Sequence, residues 1–371
     1  METQVKGCKE LYTDVIQAGL CTLCGACVGS CPYLVSYKGR IVMLDKCTIA
    51  DGQCYKYCPR THVDMDALSR HTFGAPYRAD ELGAVREVLM ARSTDANLRK
   101  RVQYGGTVTA LMCLALEEGL IQSAVMSRTC SDKTPAPFLA RSVEEVLECA
   151  GSNYMACPVL ETLNRVPRES EQTMGVVVTP CQGLALAKMK LDPPENRAST
   201  DNVRLTIGLF CTWALAPEGL RAFLEQNLDL AQVVKFDIPP PPASRFDAYA
   251  ASGKVSSFPL DQIRPYVMPT CAYCLDMTSE FADVSVGAVE GIEGWNTVIV
   301  RTQRGADLVA TARARGRLET GELPAENLAH LKEAALLKKK RALNEIINRS
   351  GDRGDLLYVG LSEGVAAELL S

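Results

Sequence analysis

Residues 1 to about 75 are short on long apolar runs, rich in cysteine and turn-like around each cysteine cluster. From about residue 80 the pattern changes to alternating helix-period and strand-period segments. The stretch QYGGTVTALMCLALEEGLIQSAVMSR is the clearest of these. Gly105 and Gly106 make a turn, Thr107 caps, residues 108–118 carry helical spacing, Gly119 stops the helix, and residues 124–126 begin a strand. DELGAVREVLMAR (80–92) fits either a strand or a helix, and SVEEVLECAGSNY is a helix running into a glycine. The β-branched run 176–178 ends at Thr179, Pro180 and Cys181 before a helix-like LALAKMK. RLTIGLFCTW repeats the theme, with a strand delivering Cys211 at its end. The proline run 239–242 breaks regular structure. TVIVRTQRGADLV reads as a hairpin, and HLKEAALLKKKRALNEIINRS as an amphipathic basic helix. Its lysine run, 338–340, reads as a solvated face, with a docking surface for an acidic partner as the lesser reading.

Composition narrows the class. The 371 residues give room for two or three domains, and 47% apolar with 23% charged residues is an ordinary soluble balance. A net charge of -4 with no pervasive basic face argues against a nucleic-acid partner. No stretch approaches the roughly eighteen uncharged apolar residues of a spanning helix. The segment METQVKGCKELYTD has no apolar signal core. The expectation is therefore a cytoplasmic protein, attached to any membrane complex only through a partner. Sixteen cysteines in such a chain point to metal ligands or redox thiols rather than disulfides.

The densest cysteine run is CTLCGACVGSCP, holding Cys21, Cys24, Cys27 and Cys31 before Pro32. Three cysteines at C-x2-C-x2-C spacing let one loop wrap an iron–sulfur cubane, and the fourth, before proline, ligates the other of two clusters. Zinc is the competing reading, since C-x2-C is also a zinc pair. The first cluster then takes Cys21, Cys24, Cys27 and, from the second run, Cys58. The second run, CTIADGQCYKYCP, departs from the pattern, with Thr48 and Asp51 where a regular run has cysteine. Cys31, Cys47 and Cys54 are left for the second cluster with an uncertain fourth ligand. Asp51 supplies oxygen there, or the site holds three irons, or Asp51 merely makes the turn with Gly52.

Farther along, Cys271 and Cys274 form CAYC, while Cys181 and Cys211 each follow a strand. Together they make the thiolate complement of one more cubane, and zinc also fits. Cys8, Cys113, Cys130, Cys149 and Cys157 lack such partners, and Cys113 reads as core.

YGGTVTALMCLALEEGLI (104–121), GSNY (151–154), VVVTPCQGLAL (176–186), IGLFC (207–211), FDIPPPP (236–242) and PTCAYCLDMTSEFADVSVGAVEGIEGWNTVIVRT (269–302) carry a resemblance. Through them the chain resembles the coenzyme F420 hydrogenase/dehydrogenase beta-subunit family. The resemblance implies FAD and a four-iron cluster in the core, and supports Cys181, Cys211, Cys271 and Cys274 as its ligands. With it, the Gly105, Gly106, Thr107 turn is expected near the FAD pyrophosphate, where free first-turn N–H groups can hold phosphate. Ser152 and Tyr154 are further flavin candidates. The family often has Ser-Lys-Tyr where this chain has Ser152, Asn153 and Tyr154, which removes a cation. Gly287, Gly291 and Gly294 read as turn-shapers, and Trp295 as core.

The expected fold is α+β or α/β, with an N-terminal ferredoxin-like two-cluster domain before a mixed α/β core for FAD and a [4Fe–4S] cluster. The boundaries are 1–75 for the ferredoxin-like part, 76–165 and 166–348 for the two parts of the core, and 349–371 for a tail. The expected activity is that of an oxidoreductase component passing electrons between coenzyme F420 and a redox partner subunit or ferredoxin. The alternative is an electron-transfer component of a formate dehydrogenase, hydrogenase or other reductase that does not use F420. An acidic carrier wants Arg or Lys, and Lys235, Arg245, Lys254 and Arg264 are the candidates. His62, His71 and His330 sit in no catalytic motif.

Overall fold

Four strands run parallel through the centre of an eight-stranded sheet, in a computed structural model describing residues 6–167, 170–193, 200–240 and 242–371. Pro241 of the proline run lies outside the described residues. The strands are β1 (Glu87–Ser93), β2 (Ser123–Thr129), β3 (Pro135–Ala140), β4 (Met174–Val178), β5 (Val203–Leu209), β6 (Val284–Ala288), β7 (Asn296–Val300) and β8 (Leu318–Gly321). Their order is β8-β1-β7-β6-β5-β4-β2-β3. β2, β4, β5 and β6 are mutually parallel, and the outer pairings are antiparallel. Every residue of β4 and β7 is buried, as expected of sheet strands covered on both faces. The ambiguous 80–92 segment resolves as strand β1, because Ala91 pairs with Asn296 and places Leu89 and Ala91 in the core.

Helix α1 (Thr107–Glu117) and helix α2 (Pro180–Leu191) start at the carboxyl ends of β1 and β4. α2 begins with a capping box: the Thr179 N–H donates to Gln182 Oε1 at 2.8 Å, and Pro180 occupies the first turn, where no N–H is needed. The long helix α3 (Ala325–Ser350) crosses the same end of the molecule.

Three expectations are corrected. TVIVRTQRGADLV is not a hairpin: β7 is followed by a helix, Gln303–Ala314. Its cap is Thr302, whose hydroxyl accepts from Gly305 N–H and donates to Asp283, a local cap that outweighs the turn reading of the glycine. The lysine run of α3 is not a solvated face, since Lys338 and Lys339 are 3% and 1% exposed. Lys339 pairs with buried Glu280 and donates to Tyr77 Oη at 2.9 Å. Trp295 is half-exposed rather than core, with the Arg92 guanidinium 4.4 Å from its ring.

The cysteine-rich first part shares its cores with the rest. Val63, Met65 and Leu68 pack with Leu343 and Ile346 of α3, while Cys24, Ala26 and Tyr57 pack with Leu160 and Leu163. Val63 also pairs in parallel with Val359 of the C-terminal segment. Among the described residues no helix is long and apolar enough to cross a membrane.

Candidate functional site

Where β4, β5 and β6 end, the chain encloses a cavity of about 970 Å3. Crevices beyond strand carboxyl ends are where open α/β sheets bind ligands. Its walls include Gly106 and Thr107 of the α1 turn, residues 151–157, Cys181, Cys211, Cys271 and Cys274, and the inner face of α3.

Cys181, two residues into the capped start of α2, and Cys211, two past β5, meet Cys271 and Cys274, and each thiol acts electrostatically on others of the set. The Ala214 N–H donates to Cys271 Sγ at 3.3 Å, and the Thr179 hydroxyl lies 3.4 Å from Cys181 Sγ. This core set forms part of the cavity wall.

A second group comprises Cys21, Cys24, Cys27 and Cys58. Its loop is held by a residue that the motif did not reveal. Asn164 donates its side-chain amide to the carbonyls of Gly25, Ala26 and Val28 at 3.2, 3.0 and 2.7 Å. Gly25 has φ +87°, and a Cβ there would stand 2.5 Å from Pro158 O, so only glycine lets the loop lie against residues 158–161.

A third group gathers Cys31, Cys47 and Cys54 with one further thiol. Cys8, which was expected to lack partners, faces Cys31, Cys47 and Cys54. It is 1% exposed. Gly52 makes this possible: its N–H donates to Lys6 O at 3.1 Å, and a Cβ on it would meet Gly7 Cα at 2.8 Å. Asp51 instead turns outward to Lys56, 3.2 Å away. The available signal was arithmetic: three cysteines short of one ligand, and one unassigned cysteine upstream.

The groups form a row. Cys181 acts on Cys21 and Cys24, and Cys54 acts on Cys27, so the order is core set, first set, second set. Among the described residues no group of three or more His, Cys, Asp and Glu side chains is arranged to hold a single metal ion. Burial pushes the thiols up, Cys21 and Cys54 to about 12 and Cys271 to about 11.

The expected flavin residues divide. Gly106 and Thr107 line the cavity and Gly105 does not. Gly105 is instead a packing glycine, since a Cβ there would meet Asn296 Oδ1 at 2.7 Å and Ala91 O at 2.8 Å. The Thr107 hydroxyl donates to Ala91 O, and its N–H to Asn296 Oδ1. The first-turn N–H groups of Val108 and Thr109 have no helical acceptor and belong to cavity-lining residues. Ser152 lines the cavity, its N–H donating to Gln103 Oε1. Tyr154 lines it too, but its hydroxyl is engaged, donating to Asp237 and accepting from Ile238 N–H, both at 3.0 Å. Gly287 sits in β6 rather than a turn, and Phe210 fills the place of its side chain.

Of the candidate cations only Arg264 lines the cavity. Arg245 pairs with Asp247, and Lys235 lies over Tyr249. Lys254 lies just before the strand Val255–Pro259. Sequence reasoning missed Lys338, Arg341 and Arg60, which also line it.

Residues 88–164 match the family described as coenzyme F420 hydrogenase/dehydrogenase, beta subunit N-terminus, and residues 171–326 match the corresponding C terminus. Coenzyme F420 hydrogenase subunit beta of Methanosarcina barkeri is 35% identical over 244 residues, 64% of this chain and 82% of that protein. The coenzyme F420-dependent sulfite reductase of Methanocaldococcus jannaschii is 27% identical over 350 residues, 91% of this chain and 52% of that protein. Among solved structures, a chain of the F420-reducing [NiFe] hydrogenase complex from Methanosarcina barkeri superposes with a TM-score of 0.65 at 31% identity. That match covers 72% of this chain and 94% of the other, so the mixed α/β fold is shared.

Proposed function

Because the chain belongs to the coenzyme F420 hydrogenase/dehydrogenase beta-subunit family, we propose that it is an oxidoreductase component passing electrons between coenzyme F420 and a redox partner protein. The observation that carries this is the row of three four-thiol sets, one of which walls the cavity.

In this reading the core set, the first set and the second set each hold a [4Fe–4S] cluster, with Cys8 completing the last. Residues 1–75 act as the ferredoxin-like part and the remainder as the flavin-binding core. FAD supplies the junction between a hydride carrier and one-electron acceptors. The chain's own groups bind and align it. The start of α1 offers the N–H groups of Val108 and Thr109 to a pyrophosphate. Gly106 keeps that approach open, and Ser152 lies on the same wall. Asn153, in place of the family's usual lysine, donates no charge; its side chain accepts from Met155 N–H at 2.9 Å and shapes the loop. Arg264 and Arg341 at the cavity wall suit an acidic carrier.

Anaerobic mixing of the purified chain with reduced F420, and separately with NADH, tests this through bleaching of the flavin band at roughly 450 nm. Bleaching by reduced F420 and not by NADH is the expected result. Bleaching by neither, but by a reduced ferredoxin, would make the chain an electron adaptor that does not meet F420.

A further inference from the structure

Two ammonium groups, buried Lys338 and half-buried Lys188, stand beside the cysteine sets with no carboxylate partner among the described residues. Lys338 donates from Nζ to the carbonyl oxygens of Cys211 at 2.6 Å and Asp276 at 2.8 Å. Lys188 donates to the carbonyls of Cys58 at 2.7 Å and His62 at 2.8 Å and to the Thr61 hydroxyl at 2.9 Å. Neither makes an ion pair among the described residues, whereas adjacent Lys339 is paired with Glu280. The nearest carboxylate to Lys338 along its own contacts, Asp276, is committed elsewhere, accepting from the N–H groups of Thr278 and Glu280.

Burying a cation among neutral carbonyls is costly unless negative charge lies nearby. The balancing charge therefore belongs to what the adjoining space holds. Lys338 lines the cavity, and its charge acts on Cys211 and Cys271 of the core set. The charge of Lys188 acts on Cys58 and Cys24 of the first set. Buried Arg60 is bound to the hydroxyl and carbonyl of Thr270 and lies between these two sets, so it serves both. The second set differs. The groups acting on Cys8 and Cys54 are chiefly the other thiols, with Glu10 acting on Cys8.

We propose that Lys338 and Lys188 are positioning charges, one for the core set and one for the first set, each raising the reduction potential of the cluster its set binds. This rests on the proposed function, in which the sets hold iron–sulfur clusters. Were a cluster held there and reduced by one electron, the neighbouring ammonium would stabilise the added negative charge.

The test is an anaerobic dithionite titration of the iron-loaded full chain followed by EPR, with iron per chain measured in parallel. In Lys338→Gln the core cluster should need a potential lower by about 59 mV, a tenfold change in its reduced-to-oxidised ratio for one electron. The first cluster should stay within about threefold of the parent, and Lys188→Gln should reverse the pattern. Lys338→Arg and Lys188→Arg, which keep the charge, should stay near the parent. Selective loss of core iron in Lys338→Gln with retention in Lys338→Arg would also support the proposal. Equal shifts in Gln and Arg variants, unmoved potentials, or iron loss in both variants would overturn it. A parent chain with no iron would instead sink the proposed function on which this inference rests.

Discussion

Cys8 lies beside Cys54 where the backbones of Gly7 and Gly52 pack, so the thiol of an early helix joins the set that sequence left one member short. Asp51, the candidate for that place, points to Lys56 and is 58% exposed. The two residues are therefore separable by experiment. Cys8→Ser should lose about one of about twelve irons and give a three-iron EPR signal, or lose about four. Asp51→Ala should keep the parent iron content and spectrum.

Asn164 ties three carbonyls of the loop that carries Cys24 and Cys27. Replacing it by leucine removes the donor from the Ala26 and Val28 carbonyls, while Gly25 O keeps the Val28 N–H, at about 1–3 kcal/mol for such a loss. Thermal unfolding of Asn164→Leu should fall by several degrees, and iron release to a chelator should quicken. Asn164→Asp supplies no donor and should behave like the leucine variant.

At Gly25 the backbone is left-handed and its space is filled by Pro158 O. Gly25→Ala combines a conformational cost of about 1 kcal/mol with a clash that the backbone must relieve. Gly119 also has positive φ, but nothing lies within 4 Å of its added Cβ. Gly119→Ala should therefore cost only the conformational part. Denaturation midpoints of the two variants measure the difference.

Arg264 lines the cavity and, among the described residues, pairs with exposed Asp261 at 2.8 Å. Arg264→Ala should raise the KM for reduced F420 by roughly two- to fivefold with kcat little changed, as for a solvated charge contact of about 0.3–1 kcal/mol. The effect should shrink as salt rises. Initial-rate kinetics at two ionic strengths check it.

Much of this site was legible because its chemistry is local in sequence. The C-x2-C-x2-C spacing and the strand-end positions of Cys181 and Cys211 are short-range patterns, and the structure places Cys181 and Cys211 where the β-branched runs stop. What sequence left open depends on distant partners. Cys8 meets its set only because two glycines let separate segments touch, and Lys338 and Lys339 are buried only because α3 lies over the site. Periodicity could not distinguish those lysines from a solvated run, since their partners lie on other elements. The hairpin reading of 297–309 failed for a nearer reason: the Thr302 cap, with Gly305 in the first turn, starts a helix where glycine alone suggests a turn.

The most direct test of the central claim is the iron, acid-labile sulfide and flavin content of the full chain prepared without air. Three four-thiol sets and one cavity predict about twelve irons, about twelve sulfides and one FAD per chain. A colourless preparation carrying zinc, with no sulfide and no yellow chromophore, would contradict it.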